Sequence, residues 1–461
     1  MAIHKRTRLT PIQREEVYSF SGTSPMETAA GIVRALRRAG HEAYWVGGCV
    51  RDLIRGIPPA DFDIATSATP DEVEGLFPRT VPVGASFGVV LVVEDGRPFE
   101  VATFRTENGY SDGRRPDAVR FAGAEEDVRR RDFTINGLLM DPGTGGVIDH
   151  VGGRADLTAR LIRTIGDPEA RFGEDRLRIL RAVRFAANLD FVLEAGTQAA
   201  IVRHAPAIAA VSAERIRGEL TRILTEGGAR RGMELLAETG LLRVILPEVE
   251  ALQGVDQPPR FHPEGDVWVH TLRMLALLSE APPADSRLAW AVLLHDVGKA
   301  VTRSEDERGV HFYGHVGEGV RIAADVLRRL RFSRMETEAV LDLVGGHMHF
   351  MHVREMRPNR LKRLLRGELF DLHLELHRLD CLGSHGLLDH YDFCVQKRAE
   401  LDDAVLRPPR LITGRDLIGM GLAPGPRFAE ILKAVEDAQL DGEIDTPEDA
   451  RRFVAERWLE N

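Results

Sequence analysis

The stretch "YWVGGCVRDLIRGIPPADFDIATSA", residues 44–68, decides how the first part of the chain folds. The run "EAYWV" reads as a strand that stops at Gly47-Gly48, and "DFDIAT" reads as a second short strand. Strand side chains alternate between faces, so Asp61 and Asp63 should point one way and Phe62 and Ile64 the other, into a core. Two carboxylates side by side repel each other, and a cation between them removes that penalty. Oxygen-only ligation suits Mg²⁺, which keeps waters and substrate phosphates as its other ligands. Glu100, between core residues Phe99 and Val101 in "PFEVATF", is the candidate third carboxylate. Metal sites of this kind are a general solution for phosphoryl and nucleotidyl transfer. Gly47 and Gly48, lacking Cβ, let the backbone close on a triphosphate, and Arg51 adds a fixed cation.

Around this stretch, "METAAGIVRALRRAG" (26–40) has helical spacing and a glycine stop, and "SATPDEVEGLF" opens a capped helix with an acidic first turn. "FGVVLVVEDGRPFEVATFR" predicts a hairpin turning at Asp95-Gly96. Residues 105–120 lack periodicity and read as a mobile loop. From about residue 156 the pattern is helical. "GEDRLRILRAVRFAANL" (173–189) reads as a helix with Arg on its polar faces, and "SAERIRGELTRIL" begins at a cap-like Ser212. Two Pro/Gly-rich breaks, near 253–266 and at "RPPRLITGRDLIGMGLAPGPR", mark boundaries. The expected organisation is a mobile arm (1–25), an α/β head (26–155), a helical neck (156–252), a helical body (253–406) and a helical tail (407–461).

The 461 residues fit about three domains. Cys49, Cys381 and Cys394 form no Cys-x-x-Cys pair, which fits a reducing, cytoplasmic setting and argues against a disulfide framework. The first residues hold no signal-peptide core, and no window approaches the ~18 apolar residues of a membrane span. A net charge of −10 does not advertise a nucleic-acid binder. Residues 160–235 nevertheless hold 13 Arg against 10 acidic residues and no Lys, and Arg suits planar recognition of phosphates and bases.

The ordered motifs carry a resemblance. "VGGCVRD…DFDIATSATP" is similar to the first signature of the class II tRNA nucleotidyltransferases and bacterial poly(A) polymerases. "RRDFTINGLLMDP" (130–142), "GEDRLRILRAVRFAANL" and "ERIRGELTRIL" (214–224) resemble that family's later motifs, in order and at family-like spacing. The resemblance implies an α+β multidomain chain: a polymerase-beta-like head, then an all-α neck, body and tail. It implies that Asp61 and Asp63, assisted by Glu100, hold Mg²⁺. An RNA 3′-hydroxyl then attacks the nucleotide α-phosphate and pyrophosphate leaves. By the same resemblance Gly47, Gly48, Arg51, Asp52, Arg131, Asp132, Asn136, Asp175, Arg178, Arg181 and Arg184 bind the nucleotide. Asp132 accepts from the ribose, and Asp175 and Arg178 read the base. Their i, i+3 spacing would put that pair on one helix face. Gly137 departs from the family, which usually has Ala there.

"PVGASFGVVLV" lacks the Arg-rich stretch usual in the poly(A) enzymes, and the loop missing from CC-adding enzymes is present as "ENGYSDGRRPDAVRF". CCA addition to tRNA from CTP and ATP is the favoured reading. A-addition to tRNA ending in CC, or poly(A) synthesis, is the alternative.

A second group lies in the helical body: His270, His295-Asp296, His315, His347 and Asp380. With 16 His in the chain, about one His-Asp pair is expected by chance, so the ordered series carries more weight than the pair. Imidazoles and carboxylates presented from several helices suit a divalent transition metal. The series resembles the HD phosphohydrolase superfamily, and Lys299 in "HDVGK" matches a common feature of it. The resemblance implies that His270, His295, Asp296 and Asp380 hold one metal and that His315 and His347 complete a second site. His262, His349 and His352 are expected not to be ligands. A hydrolase with a non-catalytic RNA-binding head is the competing class.

Overall fold

The computed structural model describes residues 24–84, 88–108, 118–260, 262–307 and 309–459. The expected N-terminal arm therefore lies almost wholly outside the described residues. The chain divides into two compact units, one of residues 1–182 and 191–204, the other of 183–190 and 205–461.

In the first unit α1 (Pro25–Arg38) buries an apolar stripe of Ala29, Ala30, Ile32, Val33 and Leu36. β1 (Ala43–Val46) leads directly into α2 (Gly48–Ile54), and β2 (Asp63–Thr66) into α3 (Pro70–Leu76), where Glu72 accepts from the Thr69 N–H and hydroxyl. β3 (Thr80–Gly84), β4 (Val89–Glu94) and β5 (Arg97–Thr103) follow. Asp95 and Gly96 turn β4 into β5 with φ of 50° and 73°, the primed geometry that a two-residue hairpin demands.

β6 (Arg105–Asn108) and β7 (Ala118–Phe121) pair antiparallel, so the segment expected as loop is a ribbon at both ends. Thr106, Val119 and Phe121 are strand formers whose pairing outweighs the local turn signals, and residues 109–117 lie outside the described residues. After α4 (Ala124–Arg129), β8 (Leu138–Met140) and β9 (Val147–Asp149) complete a seven-stranded sheet of order β3-β4-β5-β2-β1-β8-β9. β2 runs parallel to β5 and antiparallel to β1, with Asp63 opposite Val46. The end of β1, where the glycines sit, and the start of β2 thus meet at one place in the sheet.

The strand at β2 begins later than its alternation predicts. Asp61 precedes it, exposed, because Pro58 and Pro59 just upstream have no N–H to give a ladder. Phe62 and Ile64 are buried as expected, and Glu100 is exposed between buried Phe99 and Val101. α5 (Gly153–Thr158), the parallel pair β10 (Leu161–Ile162) and β11 (Val192–Leu193), α6 (Pro168–Glu174), α7 (Leu177–Leu189) and α8 (Ala195–His204) follow. The expected single helix over 173–189 is broken. Asp175 is extended (φ −140°, ψ 105°) and its carboxylate accepts from the Leu177 N–H at 3.0 Å. That local bond competes with helix continuation, as Asp commonly does.

The second unit holds α9 (Ala213–Thr225), α10 (Ala229–Glu238), α11 (Leu241–Ile245), α12 (Pro247–Glu250), α13 (Val267–Leu278), α14 (Ser286–Leu294) and α15 (Lys299–Thr302). After a small ribbon of β12 (Ser304–Asp306) and β13 (Gly309–His311) come α16 (His315–Arg329), α17 (Arg334–Gly346), α18 (Pro358–Leu365) and α19 (Phe370–Gly383). α14 is apolar on every side from Leu288 to Leu294, and so it runs through the core. The remaining helices, α20 (Asp389–Glu400) to α24 (Pro447–Trp458), include a tail with its own apolar core around Leu417, Ile431 and Val454. No helix among the described residues is long and apolar enough to cross a membrane.

Candidate functional sites: a carboxylate cluster and a histidine cluster

The head site starts from the strand ends. Asp63 and Glu100 each sit one residue before the paired run Ile64–Thr66 with Val101–Thr103 on adjacent parallel strands. Burial and then the charges of Glu100 and Asp61 push the Asp63 carboxyl up to about 6, with Arg131 opposing them. Asp61 and Glu100 thus both bear on Asp63. This is the repulsion a divalent cation would relieve, and an all-oxygen donor set fits a hard cation.

Gly47 has φ 75° and ψ −128°, a conformation that suits glycine, and a Cβ there would sit 3.6 Å from Arg131 Nη1 and 3.9 Å from the Asn136 carbonyl. Gly48 begins α2. Arg51, nearly buried, donates to both oxygens of Asp52 at 2.9 Å and to Asn136 Oδ1 at 3.0 Å. Asn136 donates in turn to Asp132 at 3.2 Å, and Arg181 pairs with the other Asp132 oxygen at 2.6 Å. Burial would raise Asp132, but the Arg181 guanidinium and these hydrogen bonds outweigh it and hold the carboxyl below its usual value.

Gly47, Gly48, Arg51, Asp52, Arg131, Asp132, Asn136 and Arg181 thus lie along one connected set of contacts. Sequence reasoning missed Asp127, whose buried carboxylate holds Arg130 at 2.6 Å and Arg131 at 3.0 Å. The only signal for it is an acidic residue one helical turn before an Arg-Arg pair.

One expectation fails here. With Asp175 outside both helices, Asp175 and Arg178 do not share a helix face. Arg178 is turned onto Glu174 at 2.5 Å and the carbonyls of Arg171 and Arg130, both at 3.2 Å. Arg184 belongs to the second unit, 3% exposed, on Glu219 at 2.6 Å and over the Phe185 ring. Arg178 thus takes its i−4 neighbour, whereas Arg184 takes a buried carboxylate 35 residues on that helix spacing does not reveal.

In the second unit the predicted histidines converge. His295 and His347 cap the C-terminal ends of α14 and α17, His315 opens α16, and Asp380 lies in α19. His295, His315 and His347 each place Nδ1 on the carbonyl three residues earlier, at 2.9, 2.9 and 2.7 Å. The Val292 and Val344 carbonyls lie in the last turns of α14 and α17, where C=O groups lack intrahelical partners, and the Phe312 carbonyl also accepts from the His315 backbone N–H at 3.2 Å. A carbonyl accepts only from N–H, so the neutral form of each ring has its lone pair on Nε2. All three Nε2 atoms are buried without a hydrogen-bond partner. They face one carboxylate: Asp296 lies 3.3 Å from His295 Nε2, 3.9 Å from His315 Nε2 and 3.8 Å from His347 Nε2.

His270 Nε2 lies 3.1 Å from Asp380. The donor atoms of His270, His295 and Asp296 gather within 4.8 Å of one another, as do those of Asp296, His315 and His347. Asp296 is common to both groups. Buried, oriented nitrogen lone pairs fit a divalent transition metal.

Lys299 Nζ sits 2.7 Å from Asp296 and 2.7 Å from Gln257 Oε1, a fixed charge beside the carboxylate. Burial would raise Asp296, but Lys299 and then His295 hold it well below the usual range, while burial depresses His347 to about 4. His352 is exposed, and His349 stacks on His373 outside these groups. His262 is nearer than expected: it shares the Glu264 carboxylate with His270.

Three family models match in series. They are the poly A polymerase head domain over residues 43–163, the probable RNA and SrmB-binding site of polymerase A over 190–252, and the HD domain over 267–372. A CCA-adding enzyme of Geobacillus thermodenitrificans is 50% identical over 218 residues, 47% of this chain and 54% of that protein. The chain thus spans about half the length of that relative. A CCA-adding enzyme of Bacillus cereus is 33% identical over 434 residues, 94% of this chain and 97% of that protein. The crystal structure of the Bacillus stearothermophilus CCA-adding enzyme in complex with CTP superposes with a TM-score of 0.71 at 32% identity, covering 95% of this chain and 98% of that one. The Thermotoga maritima CCA-adding enzyme complexed with tRNA, at 20% identity and TM-score 0.57, shares the fold. With the head, the RNA-binding segment and the HD region in this order, and with likeness along nearly its whole length to the Bacillus proteins, the chain belongs to the CCA-adding enzyme family.

Proposed function

We propose that this protein adds CCA to tRNA 3′ ends from CTP and ATP without a nucleic-acid template. The observation that carries the proposal is the placing of Asp63 and Glu100 at the same end of two neighbouring parallel strands, with Asp63 opposite Val46 next to the Gly47 turn and its carboxyl raised by burial, Glu100 and Asp61. Bound divalent cation, Mg²⁺ by its all-oxygen donors, would activate the attacking 3′-hydroxyl and neutralise charge on the transferred phosphate. Gly47 and Gly48 admit the triphosphate close to the backbone, and Arg51, Arg131 and Asn136 orient it. Asp132, fixed by Arg181, offers an acceptor to the ribose 2′-hydroxyl. Asp175 and Arg178 offer an acceptor and a donor to the base, with Arg178 exchanging Glu174 for the base edge. Residues 26–155 would then form the head, 156–252 the neck, 253–406 the body and 407–461 the tail.

Three tRNA substrates ending in the discriminator base, in C and in CC, incubated with labelled CTP and ATP, test the reading. Completion of CCA on all three is expected. Incorporation onto the CC end alone makes it an A-adding enzyme, and long A tails on unrelated RNA make it a poly(A) polymerase. No incorporation overturns the reading.

A second activity is favoured by the three orphaned Nε2 atoms around Asp296. We propose that the histidine cluster binds divalent transition metal and hydrolyses phosphate esters, including 2′,3′-cyclic phosphodiesters. The metal would activate water and polarise the phosphoryl group. The chain's own part is to hold the ligands in one tautomer and to place Lys299 against Asp296. Metal-dependent phosphate release that disappears in His295→Ala is expected, and equal release from that variant refutes it.

A further inference from the structure

His270 differs from the other three histidines. It lies within α13, where the carbonyl three residues earlier, that of Val267, accepts from the Thr271 hydroxyl at 2.9 Å. No helix-end carbonyl is available to its Nδ1. A carboxylate stands beside it: Glu264 Oε1 lies 2.9 Å from His270 Nδ1, close but not in line for a hydrogen bond, and is hydrogen-bonded to His262 Nδ1 at 2.9 Å. The Glu264 side chain is closed off from solvent, and its second oxygen has no hydrogen-bond partner and lies 3.9 Å from Arg273. The His262 and His270 rings meet edge to face at 5.1 Å, so His262 closes the carboxylate in from the side. A buried carboxylate requires such partners to exist as a charge.

We infer that Glu264 is a positioning residue for the histidine cluster, fixing the His270 ring so that Nε2 faces Asp380 and the metal. The inference rests on the metal-binding reading of that cluster. Acceptors behind ligating histidines set the tautomer and ring orientation, and losing one costs about 10–100-fold in metal affinity. A carboxylate also raises the basicity of the ring it holds, which a carbonyl does less. His270 is then the strongest nitrogen donor of the four, and the site's affinity depends on a residue that touches no metal.

The test is Co²⁺ titration of the full-length chain in Mg²⁺ buffer, so that the oxygen-only carboxylate site is already filled. The readouts are affinity and the visible absorption of bound Co²⁺. Wild type should give a nitrogen-ligated spectrum. Glu264→Gln keeps an acceptor oxygen without the charge, and should bind about 10-fold more weakly with the same spectrum. Glu264→Ala should bind about 100-fold more weakly with an altered spectrum, since the ring is free to turn. Wild-type affinity and spectrum in Glu264→Ala overturn the inference while leaving the metal site intact. If the Ala variant melts early without metal, wild-type affinity in Glu264→Gln overturns it instead. A wild-type chain with no nitrogen-ligated spectrum refutes the metal site and the inference together.

Discussion

The carboxylate cluster and the histidine cluster solve the problem of buried charge in opposite ways. In the head, Asp63 is pushed up to about 6 by burial and by Glu100 and Asp61, and only Arg131 opposes them. In the histidine cluster Asp296 faces Lys299 and His295 and Asp380 faces His270, and both carboxyls are held below their usual range despite burial. The head is thus poised to take a cation and gains from any that arrives. The helical site is internally compensated, and a metal must displace the proton on His270, raised to about 9 by Asp380 and Glu264 against the effect of burial. A site of the first kind suits a cation that comes and goes with a nucleotide, and one of the second kind suits a resident ion.

The largest expected effect separates the two clusters. Asp61→Ala or Asp63→Ala should lower labelled nucleotide incorporation by about a thousandfold or more, because charge stabilisation at the reacting phosphate is lost. Phosphate release from a cyclic phosphodiester should be unchanged in the same variants. His295→Ala should give the converse, with release falling about a hundredfold or more and incorporation kept. If both activities fall together in each variant, the two clusters do not work independently.

The two regions also differed in how legible they were. The carboxylates could be read directly, because period-two alternation is a backbone property and "PFEVATF" displays it. Asp61 was misplaced into the strand because the two prolines act before the alternation begins. The histidines were found as a series of residue types, but the reason they work, Nδ1 on a carbonyl at a helix end, depends on where α14, α16 and α17 start and stop. Glu264 left no regular spacing to His270, and the one signal for Asp127, an acidic residue a helical turn before Arg130-Arg131, is shared by many exposed helix pairs. The Asp175–Arg178 pair was misread for a local reason: one side-chain bond to Leu177 N–H breaks the helix that the periodicity suggests.

A smaller effect tests the repulsion itself. The folded-state carboxyl of Asp63, at about 6, lies above its ordinary value of 3.8, so its ionisation disfavours the fold. That cost is absent below about pH 4, grows as pH rises through 6, and is full above it. Asp63→Asn should therefore stabilise the cation-free protein by about 1–2 kcal/mol at pH 7.5 and by almost nothing at pH 4. Mg²⁺ should raise the melting temperature of wild type more at pH 7.5 than at pH 5. Urea melts at the two pH values measure the first, and equal stabilisation at both would remove the carboxylate repulsion as its cause.

The smallest effect concerns Gly137, the departure from the family's usual alanine beside Asn136. Its φ of −92° is open to any residue, so backbone freedom is not the reason for glycine. Space is: a Cβ would meet Val151 Cγ2 at 2.8 Å, Ile165 Cδ1 at 3.0 Å and Val128 Cγ1 at 3.2 Å. These are methyl groups on side chains that can shift, and overpacking of this kind costs about 1 kcal/mol. Gly137→Ala should lower stability by about that amount while Asn136 keeps its bonds to Arg51 and Asp132, so nucleotide incorporation should persist. Val151→Ala in the same chain should return part of the loss, because the two changes share one space and are not additive. Full additivity in denaturant melts would mean that Val151 does not fill the alanine's place.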